Sequence, residues 1–207
     1  LPAAIVVAGI IIAIAILVRA DTGNAGQQAL DLIPEISESD FVRGNVDAPI
    51  TIIEYADFKC PACSAYHPIL QKLVDESSGQ IKWTYRDFPI FSQESAGASR
   101  CVGKIAGNES FWIYTDTLFR EQSSITSDFL KNKAAEVGVD SESYNSCLND
   151  PVLVRSIDKE YNRLKYLVGL TSTPTTVIID GKGRKFMFTG ALYEKTLIDI
   201  IETLDKK

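Results

Sequence analysis

A β-branched run, Thr51-Ile52-Ile53-Glu54-Tyr55-Ala56, gives way after three residues to Cys60-Pro61-Ala62-Cys63. A helical pattern follows: Cys63, Tyr66, Leu70, Leu73 and Val74 recur at steps of three and four, and Gly79 is the stop signal. This handover constrains the chain more than any other feature. It sets two thiols at the start of a helix that packs back on the strand it has just left. A thiol there faces unpaired backbone N–H groups and the positive end of the helix dipole, both of which favour thiolate, the reacting form. Cys60 comes first and is the expected nucleophile. Cys63, one turn in, is placed to attack a mixed disulfide at Cys60. Pro61 suits the first turn because no N–H is needed there.

Two other readings of the cysteine pair compete. It could be half of a zinc site, or a merely structural short disulfide. There is no second Cys-x-x-Cys and His67 is the only histidine, so metal ligands are scarce. The strand–Cys-x-x-Cys–helix context favours redox chemistry. A binding module that holds copper or peptides on the thiols is a further alternative, but Met187 is the only methionine.

The remaining pattern predicts an α/β domain. Ile81–Tyr85 alternates as a second strand. Residues 92–168 read as helical throughout, with Asn108, Thr126 or Ser127, Asp140 and Asp150-Pro151 as helix starts and Gly138 and Gly169 as stops. Thr175–Ile179 and Lys185–Phe188 form a hairpin around Asp180-Gly181-Lys182-Gly183. A last amphipathic helix carries Leu192, Leu197, Ile198, Ile201 and Leu204.

Composition matters at the other end of the chain. The 207 residues carry 21 Lys and Arg against 27 Asp and Glu, a net charge of −6, and 45% are hydrophobic. The hydrophobic excess lies in residues 1–18, which hold no charge; without them the share is about 41%, ordinary for a soluble domain. These numbers argue against a multi-span membrane protein, a disordered acidic chain and a basic nucleic-acid binder. As a helix, 18 residues span about 27 Å, close to the ~30 Å hydrocarbon core. Residues 1–18 are therefore expected to be a single transmembrane anchor; a cleaved signal and the last helix of a larger membrane protein are the alternatives. Residues 19–40, rich in Gly, Gln, Asn, Ser and acids, read as a linker, and residues 41–207 as the folded domain with its helical insertion at about 92–168.

The stretch DAPITIIEYADFKCPACSAYHPIL, with YRDFPI, FWIYTDTLF and TSTPTTVIIDG, closely resembles the DsbA-type thiol–disulfide oxidoreductases of the thioredoxin superfamily. The likeness covers about residues 45–205. It implies a thioredoxin fold interrupted by an all-helical subdomain, which agrees with the element order read from the residues. It also implies that Cys60 and Cys63 are the redox pair with Pro61-Ala62 between them, and that Thr173-Pro174 is the cis-proline loop beside it. Glu54 corresponds to a buried acid that moves the proton of Cys63, and Pro68 to the kink proline of the active-site helix. His67, seven residues past Cys60, is expected to be structural or superficial, too far along to act on the thiolate.

One departure stands out. DsbA itself carries a histidine between its cysteines, which helps to stabilise the thiolate, where this chain has Pro61-Ala62. A less oxidising pair is expected here. Cys101 and Cys147 fall in the helical insertion, where several relatives carry cysteines. In an oxidising compartment a structural disulfide is the natural reading; two buried thiols or a second redox pair are the alternatives. The combined expectation is a disulfide-forming oxidase, with a reductase or isomerase as alternative. It acts outside the cytoplasm on cysteine-containing secreted or membrane proteins, is anchored in the cell membrane, and needs no metal or organic cofactor. By family analogy, an oxidase needs a membrane partner of the DsbB or VKOR type to re-oxidise it.

Overall fold

The computed structural model describes residues 26–205. The expected anchor, residues 1–18, lies outside them. Among the described residues, no helix is long and apolar enough to cross a membrane. The chain divides into two compact units, Leu1–Pro34 and Glu35–Lys207. In the first, residues 26–31 are helical.

The second unit holds a five-stranded sheet: β1 (Val42–Gly44), β2 (Ile50–Ala56), β3 (Ile81–Asp87), β4 (Thr175–Ile179) and β5 (Lys185–Thr189), in the order β1-β3-β2-β4-β5. β2 is central, parallel to β3 and antiparallel to β4, and all seven of its residues are buried. Strands covered on both faces read as continuous apolar runs, which is why ITIIEYA lacks alternation. Glu54 is the exception within that run, opposite Tyr85 on one side and Thr176 on the other.

Six helices complete the unit: α1 (Pro61–Glu76), α2 (Gln93–Arg120), α3 (Ser127–Glu136), α4 (Ser141–Leu148), α5 (Pro151–Arg163) and α6 (Glu194–Asp205). Their starts follow from side chains that satisfy the first free N–H groups. Ser92 accepts from Ser95, Thr126 from Phe129, Asp140 from Glu142 and Ser143, and Asp150 from Val152. Helices α3, α4 and α5 gather on α2, and a disulfide between Cys101 of α2 and Cys147 of α4 joins two of them. α2 is not one straight rod. Gly107, at φ 83° and ψ −174°, leaves helical geometry in its middle.

Sequence reasoning missed three features. β1 is only three residues long, too short to show a period. Asn108, expected to cap a helix, instead receives the N–H of Val42 at 2.7 Å and donates to its carbonyl at 2.9 Å, so it continues the pairing at the sheet edge. Leu164–Val168 is a π-turn that Gly169 closes at φ 83°. Residues 35–40 are tied to the second unit. Arg86 donates to both carboxylate oxygens of Asp40, at 2.7 and 2.9 Å, and to the carbonyl of Glu35. Nearby, Phe41 stacks on Phe111 with ring centroids 4.2 Å apart and lies so close over Gly103 that a side chain there would meet the ring.

Candidate active site

Cys60 is the N-cap of α1, and its side chain makes no capping bond. The first turn closes on its carbonyl, which accepts from the N–H groups of Cys63 and Ser64 at 3.1 and 3.2 Å. The thiol donates to the carbonyl of Thr173 at 3.4 Å, and the Thr173–Pro174 bond is cis. The fold therefore brings together Cys60 and a loop 113 residues away. Both cysteines are free thiols here; Cys60 is 5% exposed and Cys63 is fully enclosed. Burial pushes the Cys63 thiol well above its ordinary range, and the charge of Glu54 raises it further. The two cysteines are thus unlike: one at the rim, the other behind it and protonated. Ala62 follows Pro61 in the first turn of α1 and is exposed.

Glu54 has no exposure, and its carboxyl group lies under the influence of the Trp83 indole with no fully formed hydrogen bond on either oxygen. Burial drives its carboxyl up to about 8; the Trp83 indole opposes the rise and the charge of Cys60 adds to it. A carboxylic acid that is neutral at pH 7 and electrostatically linked to Cys63 can exchange a proton with that thiol near working pH. Tyr66 of α1 shares a 3.1 Å hydrogen bond with Thr176 of β4, fixing the helix over the central strands.

Other supporting groups were not singled out from sequence. Asp57, 1% exposed, accepts from the N–H groups of Lys59, Phe91 and Ser92, locking the redox loop to the loop before α2. An Asp two residues before the turn it caps is an Asx-turn signal that could have found it. Gln122, in the turn after α2, donates to the carbonyls of Phe58 and Cys60 at 2.7 and 2.9 Å. Ser64 donates to the carbonyl of Phe119 at 2.8 Å. These three bonds join the insertion to the Cys60 loop and helix, and no local signal announces them.

His67 is buried rather than superficial, which leaves the structural half of its expected reading. It is 3% exposed, and its Nε2 lies 2.8 Å from Asp116 Oδ1 while its Nδ1 lies 4.0 Å from Glu54 Oε2. Helical spacing carries it past the thiolate but turns it toward the central strand. Asp116 is also paired with Arg43 at 2.6 Å, and that guanidinium lies 4.5 Å from the Trp112 ring centroid. Cys101 and Cys147 are bonded to each other within the insertion, apart from this site.

A family profile described as Thioredoxin matches residues 37–201. The "Na(+)/H(+) antiporter NhaA" of Herminiimonas arsenicoxydans is 25% identical over 169 residues, 82% of this chain but 26% of that protein. The "Probable disulfide bond formation protein D" of Bacillus cereus is 29% identical over 137 residues, 60% of this chain and 63% of its own length. The chain thus spans less than two thirds of either curated relative. The crystal structure of Pseudomonas aeruginosa DsbA2 superposes with a TM-score of 0.67 at 26% identity, over 84% of this chain and 98% of that one. With the profile spanning nearly all of the second unit, the chain belongs to the thioredoxin family and has the fold of its DsbA-type members.

Proposed function

We propose that the protein is a thiol–disulfide oxidoreductase of the DsbA type that forms disulfides in cysteine-containing protein substrates. The observation that carries this reading is the meeting of the Cys60 thiol with the Thr173 carbonyl at the cis-proline loop, with enclosed Cys63 and Glu54 behind it. The name of the Bacillus cereus relative supports the same chemistry.

In the oxidising direction a substrate thiolate attacks Cys60 Sγ of the Cys60–Cys63 disulfide. The enzyme S–S bond breaks, Cys63 leaves with the electron pair, and Glu54 supplies its proton. A second substrate thiolate then attacks the substrate sulfur of the mixed disulfide, and Cys60 leaves as thiolate. Substrate has lost two electrons and two protons, and the enzyme dithiol holds the electrons. The backbone at Thr173-Pro174 pairs with the extended substrate segment, as in strand addition. Re-oxidation falls to a membrane partner of the DsbB or VKOR type. The site lies outside the cytoplasm, held at the cell membrane by residues 1–18; the length and lack of charge of that run support this placement.

The test is oxidation of a dithiol peptide under air-free conditions by the oxidised protein. Stoichiometric peptide disulfide is expected from wild type and none from Cys60→Ser. Turnover that survives Cys60→Ser refutes the mechanism. Efficient insulin reduction with no peptide oxidation reassigns the direction to a reductase.

A further inference from the structure

Glu54 exchanges protons with an enclosed thiol but has no contact with solvent itself. Any proton that Glu54 exchanges with water must therefore cross the packing around it. The packing beside Glu54 offers a polar way out. Asp116 is 21% exposed and, with Ser64, His67 and Gln71, lines a surface cavity of about 250 Å³. His67 lies between that cavity and Glu54.

The roles of the two ring nitrogens follow from their neighbours. Arg43 and His67 hold the Asp116 carboxyl below its ordinary range against the opposing effect of burial. An ionised carboxylate can only accept, so Nε2 carries the hydrogen and Nδ1 is left with a bare lone pair. That lone pair faces Glu54 Oε2 across 4.0 Å and has no hydrogen-bond partner, while on the Glu54 oxygens the Trp83 indole exerts a pull without a fully formed bond. A side-chain adjustment of about 1 Å brings the pair to hydrogen-bonding distance. Burial holds the imidazole below its usual value, so it is neutral at rest. The groups facing Glu54 are Cys60, Cys63 and Tyr66 of α1 and Tyr85 of β3; those facing His67 are Arg43 of β1 and Asp116 of α2.

We propose that His67 is the proton exit of Glu54. When the dithiol is re-oxidised, neutral Glu54 gives its own proton to Nδ1, the hydrogen on Nε2 leaves through its bond to Asp116 to water in the cavity, and the emptied Glu54 carboxylate takes the proton of Cys63. The ring is left neutral with its hydrogen on Nδ1, until the opposite transfer restores the resting tautomer. The reverse order re-protonates Glu54 during substrate oxidation. His67 acts through Glu54, and Asp116 and Arg43 position it; a carboxylate that fixes a histidine tautomer is the logic of hydrolase triads.

This rests on the exchange chemistry proposed above, and the experiment separates the two. His67 is the only histidine, so its ¹⁵N spectrum is unambiguous. At pH 7.5 the wild-type protein with Cys60 and Cys63 reduced is expected to show a protonated Nε2 and an unprotonated Nδ1; the opposite tautomer overturns the proposal. In single turnovers with a dithiol peptide, His67→Gln is expected to be slower by at least about tenfold, with its equilibrium against glutathione unchanged. Asp116→Asn, whose amide can donate to Nε2 and reverse the tautomer, should lose as much. In His67→Gly, imidazole restores the rate in proportion to its concentration, whereas pyrrole, the same ring without a basic nitrogen, does not. A His67→Gln variant at wild-type rate, or equal rescue by pyrrole, refutes the relay. Failure of wild type to oxidise the peptide instead refutes the exchange reading itself.

Discussion

The side-chain amide of Gln122 holds the carbonyl of Cys60 at 2.9 Å and that of Phe58 at 2.7 Å. One residue of the helical insertion thus fixes both ends of the turn that presents Cys60. Gln122→Ala leaves two partly buried acceptors without this donor. A stability loss of about 1–3 kcal/mol is expected in chemical denaturation, with peptide oxidation slowed several-fold. An unchanged rate would mean that the loop holds its shape through Asp57 alone.

Glu54 makes stability depend on pH in a direction opposite to that of a salt-bridged acid. Its folded value of about 8 lies above the ordinary 4.5, so between the two the folded protein binds a proton that the unfolded chain does not. Stability is therefore present in full below about pH 4.5 and falls as pH rises toward 8. Glu54→Gln is expected to be more stable than wild type by about 3 kcal/mol at pH 7 and equal to it near pH 4. Urea titrations with Cys60 and Cys63 reduced, at both pH values, check this. A pH-independent difference would mean that Glu54 is not held as a neutral acid.

The Cys101–Cys147 bond closes a loop with a sequence separation of 46. Loop entropy alone assigns such a crosslink about 4 kcal/mol. The double variant Cys101→Ala/Cys147→Ala should lose a substantial part of that in thermal or denaturant unfolding, yet retain peptide oxidation. If oxidation ceases while the fold is retained, the second pair takes part in electron transfer.

With Pro61-Ala62 between the cysteines, no imidazole from the dipeptide can stabilise the Cys60 thiolate. The reduction potential of the pair is expected to lie below the roughly −120 mV of the histidine-bearing oxidant. Equilibration with glutathione buffers, followed by tryptophan fluorescence, gives the value; a result near −120 mV contradicts the expectation.

Most of the element order could be read in the residues because helix starts and stops are local chemistry. Asp140, Asp150-Pro151 and Gly169 announce themselves, and each does in the structure what its type suggests. The redox pair is visible for the same reason, since two thiols and a helix start occupy a few consecutive positions. What escaped depends on contacts between distant segments. Asn108 looks like a cap until β1 supplies a backbone partner 66 residues away. His67 looks peripheral when counted along its helix from Cys60, and only the position of β2 turns it toward Glu54. Gln122 meets Cys60 across 62 residues, with no pattern in between.

The break at Gly107 divides α2 into two levers that share a joint. The lever before it carries Cys101 and is fastened to α4. The lever after it carries Asp116 and Phe119, which touch α1 beside the redox pair. Asn108, the first residue past the joint, is clamped to the sheet edge. The outer sulfur bridge and the groups that touch the Cys60 helix therefore stand on opposite sides of the joint.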